Sequence, residues 1–269
     1  MGVKMKYYKV ILLLLIGLLS SPIFSQVETL EDCLNRKSNV GLKNLNKLKH
    51  LDSVDGRFYS QGVNMPAEGM SWQTSFRSFK DVNKIRPQDK QKEREWVSET
   101  CGYSAYAAHD NYIGTMWCEG VPGTGIGEVV MGLAILKDKN YFYVLPGRQS
   151  KRKFFESYSR PLDIDIHYLV PMEVGTTQSG GKVFSEVLYW SKQSVKLSKD
   201  PGYQKIEIQP YKEIMKSIQG NRNIDYPFVL IAIEIKSVIE GKENKEHTCI
   251  SAIGNSDSEE EYKKPTLRD

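Results

Sequence analysis

The chain has 269 residues, of which 40% are hydrophobic, 10% aromatic and 26% charged, with 21 Gly and 11 Pro. That composition excludes collagen-like, fully disordered and polytopic membrane chains, and the length suits one large domain or two small ones. With 37 Lys and Arg against 33 Asp and Glu, the formal charge of +4 is too small an excess to suggest nucleic acid as a partner.

Residues 1–25 read as a secretory signal. Lys4, Lys6 and Lys9 form a positive start, residues 10–19 (VILLLLIGLL) an apolar core, and Ser20, Ser21 and Ser25 a small-residue cleavage context. A membrane-spanning helix needs about twenty apolar residues, so this core is short for an anchor, and no later stretch approaches that length. The expected mature chain therefore lacks a transmembrane segment, and loss of three lysines and no acid takes its charge from +4 to +1. Periplasm, outer surface and medium are all open as destinations.

Residues 26–95 form an N-terminal extension and linker. Thr29 and Asp32 make a weak capping box, and Leu42, Leu45, Leu48 and Leu51 recur at spacing three, which predicts one or two short amphipathic helices. Residues 84–95 (KIRPQDKQKERE) are almost wholly polar with one Pro and read as a connection. From residue 96 to 254 strands and turns take over. Residues 162–168 (LDIDIHY) alternate apolar with polar, residues 182–190 are β-rich, Ile206 and Ile208 alternate with polar neighbours, and residues 228–239 suit a strand buried on both sides. Residues 247–253 would return as its hairpin partner. Strands at this spacing without helices between them predict a mainly β fold, an antiparallel jelly-roll β-sandwich with a small N-terminal α-containing extension. Residues 255–269 read as a disordered tail.

Four cysteines, Cys33, Cys101, Cys118 and Cys249, follow the signal segment. None has C-x-x-C spacing and the four histidines do not cluster with them, so disulfides are favoured over a metal site. Three connectivities are possible; Cys101 and Cys249 bracket the main domain, and their pairing is the expectation.

The densest motif is residues 117–128 (WCEGVPGTGIGE). Its glycines miss the spacing of a dinucleotide fingerprint and lack the Lys of a phosphate loop, so they are read as a tight turn feeding a strand. Glu119 and Glu128 flank that turn, and Asp163 and Asp165 form a second acidic pair. Paired acids suit glycoside hydrolysis only at a set separation across a bond. The aspartates, two apart on an alternating strand, belong to its polar face. No G-x-S-x-G nucleophile elbow is present. Catalysis is thus unsupported, and neither metal nor cofactor is expected. Aromatic rings at Trp117, Tyr141, Tyr143, Tyr158, Tyr168, Tyr189, Trp190, Tyr203 and Tyr211 could stack on sugars, although most should be core. Residues 148–153 (RQSKRK) form a basic loop, solvated or suited to phosphate or sulfate.

Three blocks occur in order: Asp110-Asn111 with Thr115 to Val121 and Gly125 to Glu128; Leu145-Pro146-Gly147 with Tyr158-Ser159-Arg160-Pro161; and His247-Thr248-Cys249-Ile250-Ser251. Together they resemble the NADase-type glycan-binding domain, a bacterial jelly roll similar to discoidin-like, galactose-binding modules. The resemblance covers residues 99–253 and implies carbohydrate binding without catalysis. It points to Trp117, Glu119, Glu128, Tyr158 and Arg160 as ligand-binding residues, with Trp117 as a core residue and Glu128 paired to Arg160 as the structural alternative. Cys118 stands where the family is hydrophobic, and Ala252 where it has an acid. The function expected is an exported, non-catalytic module for a glycan or glycoconjugate; the alternative is a cell-envelope protein-interaction or structural module.

Overall fold

The computed structural model describes residues 38–61, 65–66, 72–77, 85, 87–110, 113–177, 180–221, 227–256, 260 and 262. The expected signal segment, Cys33 and the first part of the N-terminal helical region lie outside them.

The protein is mainly β. Ten strands are present among the described residues: β1 (Phe58–Gln61), β2 (Met65–Pro66), β3 (Trp117–Cys118), β4 (Val129–Ile135), β5 (Tyr141–Pro146), β6 (Tyr158–Thr176), β7 (Lys182–Lys196), β8 (Gln204–Glu207), β9 (Phe228–Ile239) and β10 (Asn244–Gly254). One antiparallel array runs β4-β9-β6-β7-β1-β2, and a second runs β8-β5-β10-β3. A short parallel pairing of β6 with β10, Tyr158 opposite Asn244 and Ser159 opposite Thr248, joins them. The arrays are not closed and fit a β-sandwich. Gly132 of β4 shows how closely they pack: a Cβ there would stand 2.4 Å from a methyl of Ile253 on β10. Only glycine lets the layers approach to that distance.

The predicted alternation in residues 162–168 follows the two faces of β6. Ile164, Ile166 and Tyr168 join the core, and Asp163, Asp165 and His167 carry polar groups. The hairpin expected between residues 228–239 and 247–253 does not form. Both edges of β9 are taken, by β4 and β6, so β10 has no free edge there and crosses to the second array. Gly241 makes the crossing, with its N–H donated to Ser159 Oγ at 3.0 Å and a hypothetical Cβ 2.2 Å from the Ser157 carbonyl oxygen.

The N-terminal part is built into the same core. Two of the leucines at spacing three, Leu42 and Leu45, lie on a 3₁₀ helix, η1 (Val40–Lys47), whose three-residue turn puts them on one buried face, and Leu48 follows as its C-cap. Leu51 is exposed at positive φ (68°), and its N–H bonds the Tyr189 carbonyl. Leu42, Leu45, Val54, Phe58 and Trp72 belong to the same core cluster as β4, β6 and β9, so no core boundary falls at residue 95. The polar run read as a connection is in part a helix, α1 (Lys90–Thr100), capped by Asp89 Oδ1, which accepts the N–H groups of Gln91 (3.1 Å) and Lys92 (3.0 Å). Two helices were unexpected, α2 (Arg152–Ser157) and α3 (Tyr211–Gln219); Ile214 and Ile218, four apart, bury one face of α3. Beyond β10 the chain stays docked at Asn255, whose side chain joins Ile135 to the Tyr141 carbonyl.

Cys249 is bonded to Cys118, not to Cys101 as expected. The reason is register: β10 pairs with the two-residue strand β3, and Cys249 lies directly opposite Cys118. Cys101 is disulfide-bonded as well.

Candidate functional site

Trp117, Glu119 and Glu128 are buried. The Trp117 ring has no exposed surface, and its Nε1–H donates to the Ser75 carbonyl at 2.9 Å. It is a core side chain without a face for stacking on a sugar. Glu119 lies beneath the glycine-rich turn, accepting the N–H of Val121 at Oε2 (2.9 Å) and of Thr248 at Oε1 (3.2 Å). Gly125, at φ 69°, roofs it: a Cβ there would fall 2.2 Å from Glu119 Cγ. Burial pushes the Glu119 carboxyl up to about 7, against the pull of those two bonds. Glu128 accepts hydrogen bonds from Thr74 Oγ (2.6 Å), Ser75 Oγ and Lys43 Nζ. Its burial works to raise its pKa, but Lys43, Ser75 and Thr74 outweigh that and hold it below the ordinary value. The partner of Glu128 is therefore Lys43 on η1, and not Arg160. Ser75 ties these residues together, since its Oγ also accepts the Gly120 N–H.

The three sequence blocks meet around Gly147. Its N–H donates to the Cys249 carbonyl (2.8 Å), its own carbonyl accepts Ser251 Oγ (2.7 Å), and a Cβ on it would lie 3.2 Å from Arg160 Cβ. Trp117 is paired in register with Ile250. Tyr158 packs beside the Cys118–Cys249 disulfide.

Tyr158 and Arg160 are brought together with Arg148 of the basic loop. The Arg148 guanidinium lies over the Phe154 ring, 4.1 Å from its centroid, and 5.4 Å from that of Tyr158; Arg160 lies 4.2 Å over Phe155. Their hydrogen bonds among the described residues are long, 3.4 Å from Arg148 Nη1 to Tyr158 OH and 3.4 Å from Arg160 Nη1 to the Phe155 carbonyl. Neither meets a carboxylate at ion-pair distance among the described residues. Arg148 Nε, Ser150 Oγ and Arg160 Nε are buried without an acceptor. An unsatisfied buried donor costs about 1–3 kcal/mol. Burial lowers the Arg160 pKa, and Glu156 partly restores it. Gln149, fully buried, holds the loop through the Pro146 carbonyl (2.7 Å) and the Gly202 N–H (3.3 Å). At the foot of α2 an open cleft of ≈ 390 Å³ is lined by Arg152, Lys153, Glu156, Ser157, Lys242 and Glu243. The clue in the sequence was adjacency: residues 148–153 run directly into Phe154-Phe155, four cations followed by two rings.

Other groups weighed in the sequence are engaged elsewhere. Asp165 accepts Ser194 Oγ (2.6 Å) and Lys192 Nζ (3.0 Å), and Asp163 accepts Ser237 Oγ. His167 stands between Tyr189 OH and Glu234 Oε2, each at 3.2 Å, but the ring is wholly buried and no substrate reaches it. Among the rings named for stacking, Tyr168, Tyr189 and Trp190 are buried, while Tyr141 and Tyr203 are partly exposed beside Tyr143 and Tyr262, with Lys205 Nζ 3.4 Å over Tyr141. Among the described residues no group of three or more His, Cys, Asp or Glu is placed to hold a metal, and no helix is long and apolar enough to cross a membrane.

No family model, curated protein or solved structure matches the chain.

Proposed function

We propose that this chain is an exported, non-catalytic carbohydrate-binding module whose recognition surface is the Arg148–Tyr158–Arg160 cluster and the cleft beside α2. The observation that carries this reading is the pair of guanidiniums, each over a phenylalanine ring and neither, among the described residues, at ion-pair distance from a carboxylate. Planar donors on aromatic supports beside a cleft of this size are suited to sugar hydroxyls and ring substituents. The convergence of the three motif blocks around Gly147 supports the link to glycan-binding jelly rolls, and the jelly-roll winding itself is part of the proposal. Export is supported by the Cys118–Cys249 disulfide, which belongs to an oxidising compartment. Absence of catalysis is supported by Glu119 and Glu128, both buried and committed to internal partners.

A glycan array probed with the oxidised protein tests the reading, with Arg160→Gln and Tyr158→Phe, which keeps the buried ring and removes only the hydroxyl, as the diagnostic variants. Binding to a defined glycan set, reduced at least tenfold by Arg160→Gln, is the expected result. Trp117→Ala is unsuited to this purpose, because a buried ring lost from the core impairs folding. Capture of an envelope protein with no glycan retained and no sugar-dependent thermal shift would overturn the proposal in favour of a protein-interaction module.

A further inference from the structure

We infer that the Arg148–Arg160 cluster takes an oxyanion borne by the glycan, a sulfate ester or a uronate carboxylate. This rests on the reading of the cluster as a carbohydrate site and adds the chemical class of the ligand.

Arg148 and Arg160 are half-buried, the Nη1 atom of each makes only a 3.4 Å hydrogen bond, and among the described residues neither guanidinium meets a carboxylate at ion-pair distance. The complement of two such guanidinium ends is a group rich in lone pairs. A neutral hydroxyl brings one oxygen and a donor of its own, whereas a sulfate or carboxylate brings several acceptor oxygens, no donor and the opposite charge. The guanidinium fork matches that geometry better than it matches a single hydroxyl. Charge agrees: the cleft along α2, which follows the Arg148 loop in the chain, is lined by Arg152, Lys153 and Lys242 against Glu156 and Glu243. Both acids are already engaged. Glu156 is paired with Lys242 at 2.5 Å, and Glu243 accepts Ser157 Oγ at 2.8 Å. Neither acid is at ion-pair distance from Arg148 or Arg160.

The test is titration calorimetry of the disulfide-bonded protein with dextran, dextran sulfate and polygalacturonate, alongside thermal shifts with sodium sulfate. The expected result is at least tenfold tighter binding of an acidic polymer than of dextran, with the better of the two acidic polymers identifying sulfate or carboxylate. The wild-type preference is read without any variant. Arg148→Gln, Arg160→Gln and Arg160→Lys should each remove most of it, the last because it keeps the charge but loses the fork, while the melting temperature without ligand stays within a few degrees. A preference that survives in the Arg148→Gln/Arg160→Gln double variant overturns the inference. Equal binding of dextran and the acidic polymers also overturns it and leaves the carbohydrate reading standing. A sulfate-induced stabilisation lost in Arg160→Gln, with no polymer bound, upholds the oxyanion site and overturns the carbohydrate reading. No binding of any probe overturns both.

Discussion

Glu119 and His109 are buried titratable groups whose effects on stability oppose each other. Burial raises Glu119 from 4.5 to about 7 despite bonds from Val121 and Thr248. Between pH 4.5 and 7 the folded protein keeps a proton that the unfolded chain has released, so stability from this group falls as pH rises and is level above 7. Burial lowers His109 from 6.5 to about 4, although the Ala105 carbonyl 2.7 Å from its Nδ1 acts to raise it. Between pH 4 and 6.5 the unfolded chain holds the extra proton, so stability from His109 rises with pH. The expected profile of the wild-type protein is nearly level from pH 4.5 to 6.5. Glu119→Gln should uncover a rise in that window, approaching about 1.4 kcal/mol per pH unit, and His109→Gln a matching fall, both read from urea midpoints. Identical slopes in all three proteins would contradict the assignment. Below pH 4.5 all three should lose stability. Between pH 4.5 and 2 the unfolded chain protonates Glu234 and the folded protein does not: burial raises its pKa, but His167, Lys236 and Asn46 outweigh that and hold it at about 2.

The η1 element shows how little local sequence says about attachment. As a 3₁₀ turn of eight residues it has no independent stability. It is held by Leu42 and Leu45 in the core and by polar ties, Lys43 to Glu128 and Asn46 Nδ2 to Glu234 Oε2 at 2.5 Å, the latter reaching across 188 positions. Leu45→Ala should cost about 2–5 kcal/mol in global stability with a single cooperative transition, as expected of a core position. A loss below about 0.5 kcal/mol, or a separate early transition, would mean that the segment is a detachable extension.

For the whole molecule, the Cys118–Cys249 bridge spans 131 residues and enclosed between its ends are β4 to β9. Closing so long a loop restricts the unfolded chain strongly, and on the chain-entropy model this is worth roughly 4–5 kcal/mol, with measured bridges commonly giving less. The Cys118→Ala/Cys249→Ala variant should lose about 3–5 kcal/mol by urea unfolding while keeping a β-type circular dichroism spectrum. An unchanged midpoint would show that the register of β3 on β10 holds without the bond.

Strand character was a property of the sequence alone. Alternation in residues 162–168 and the β-branched run of residues 228–239 mark β6 and β9, because side chains on a strand point to opposite faces in turn and that pattern is local. The same holds for the proximity of a basic run to Phe154 and Phe155. Pairing was decided by the tertiary structure. Which edge accepts β10 depends on which edges are already occupied, and the partner of Cys249 follows from that register, not from spacing along the chain. Residue roles divide in the same way. Trp117, Glu119 and Glu128 have the right chemistry to bind a ligand, but Ser75, Thr248 and Lys43 claim them from distant positions and bury them. Among the described residues Arg148 and Arg160, both half-buried, meet no carboxylate at ion-pair distance, while Glu156 pairs with Lys242 and Glu243 accepts Ser157 Oγ. Burial and the absence of a partner depend on every segment packed around a group, and only the folded chain contains that information.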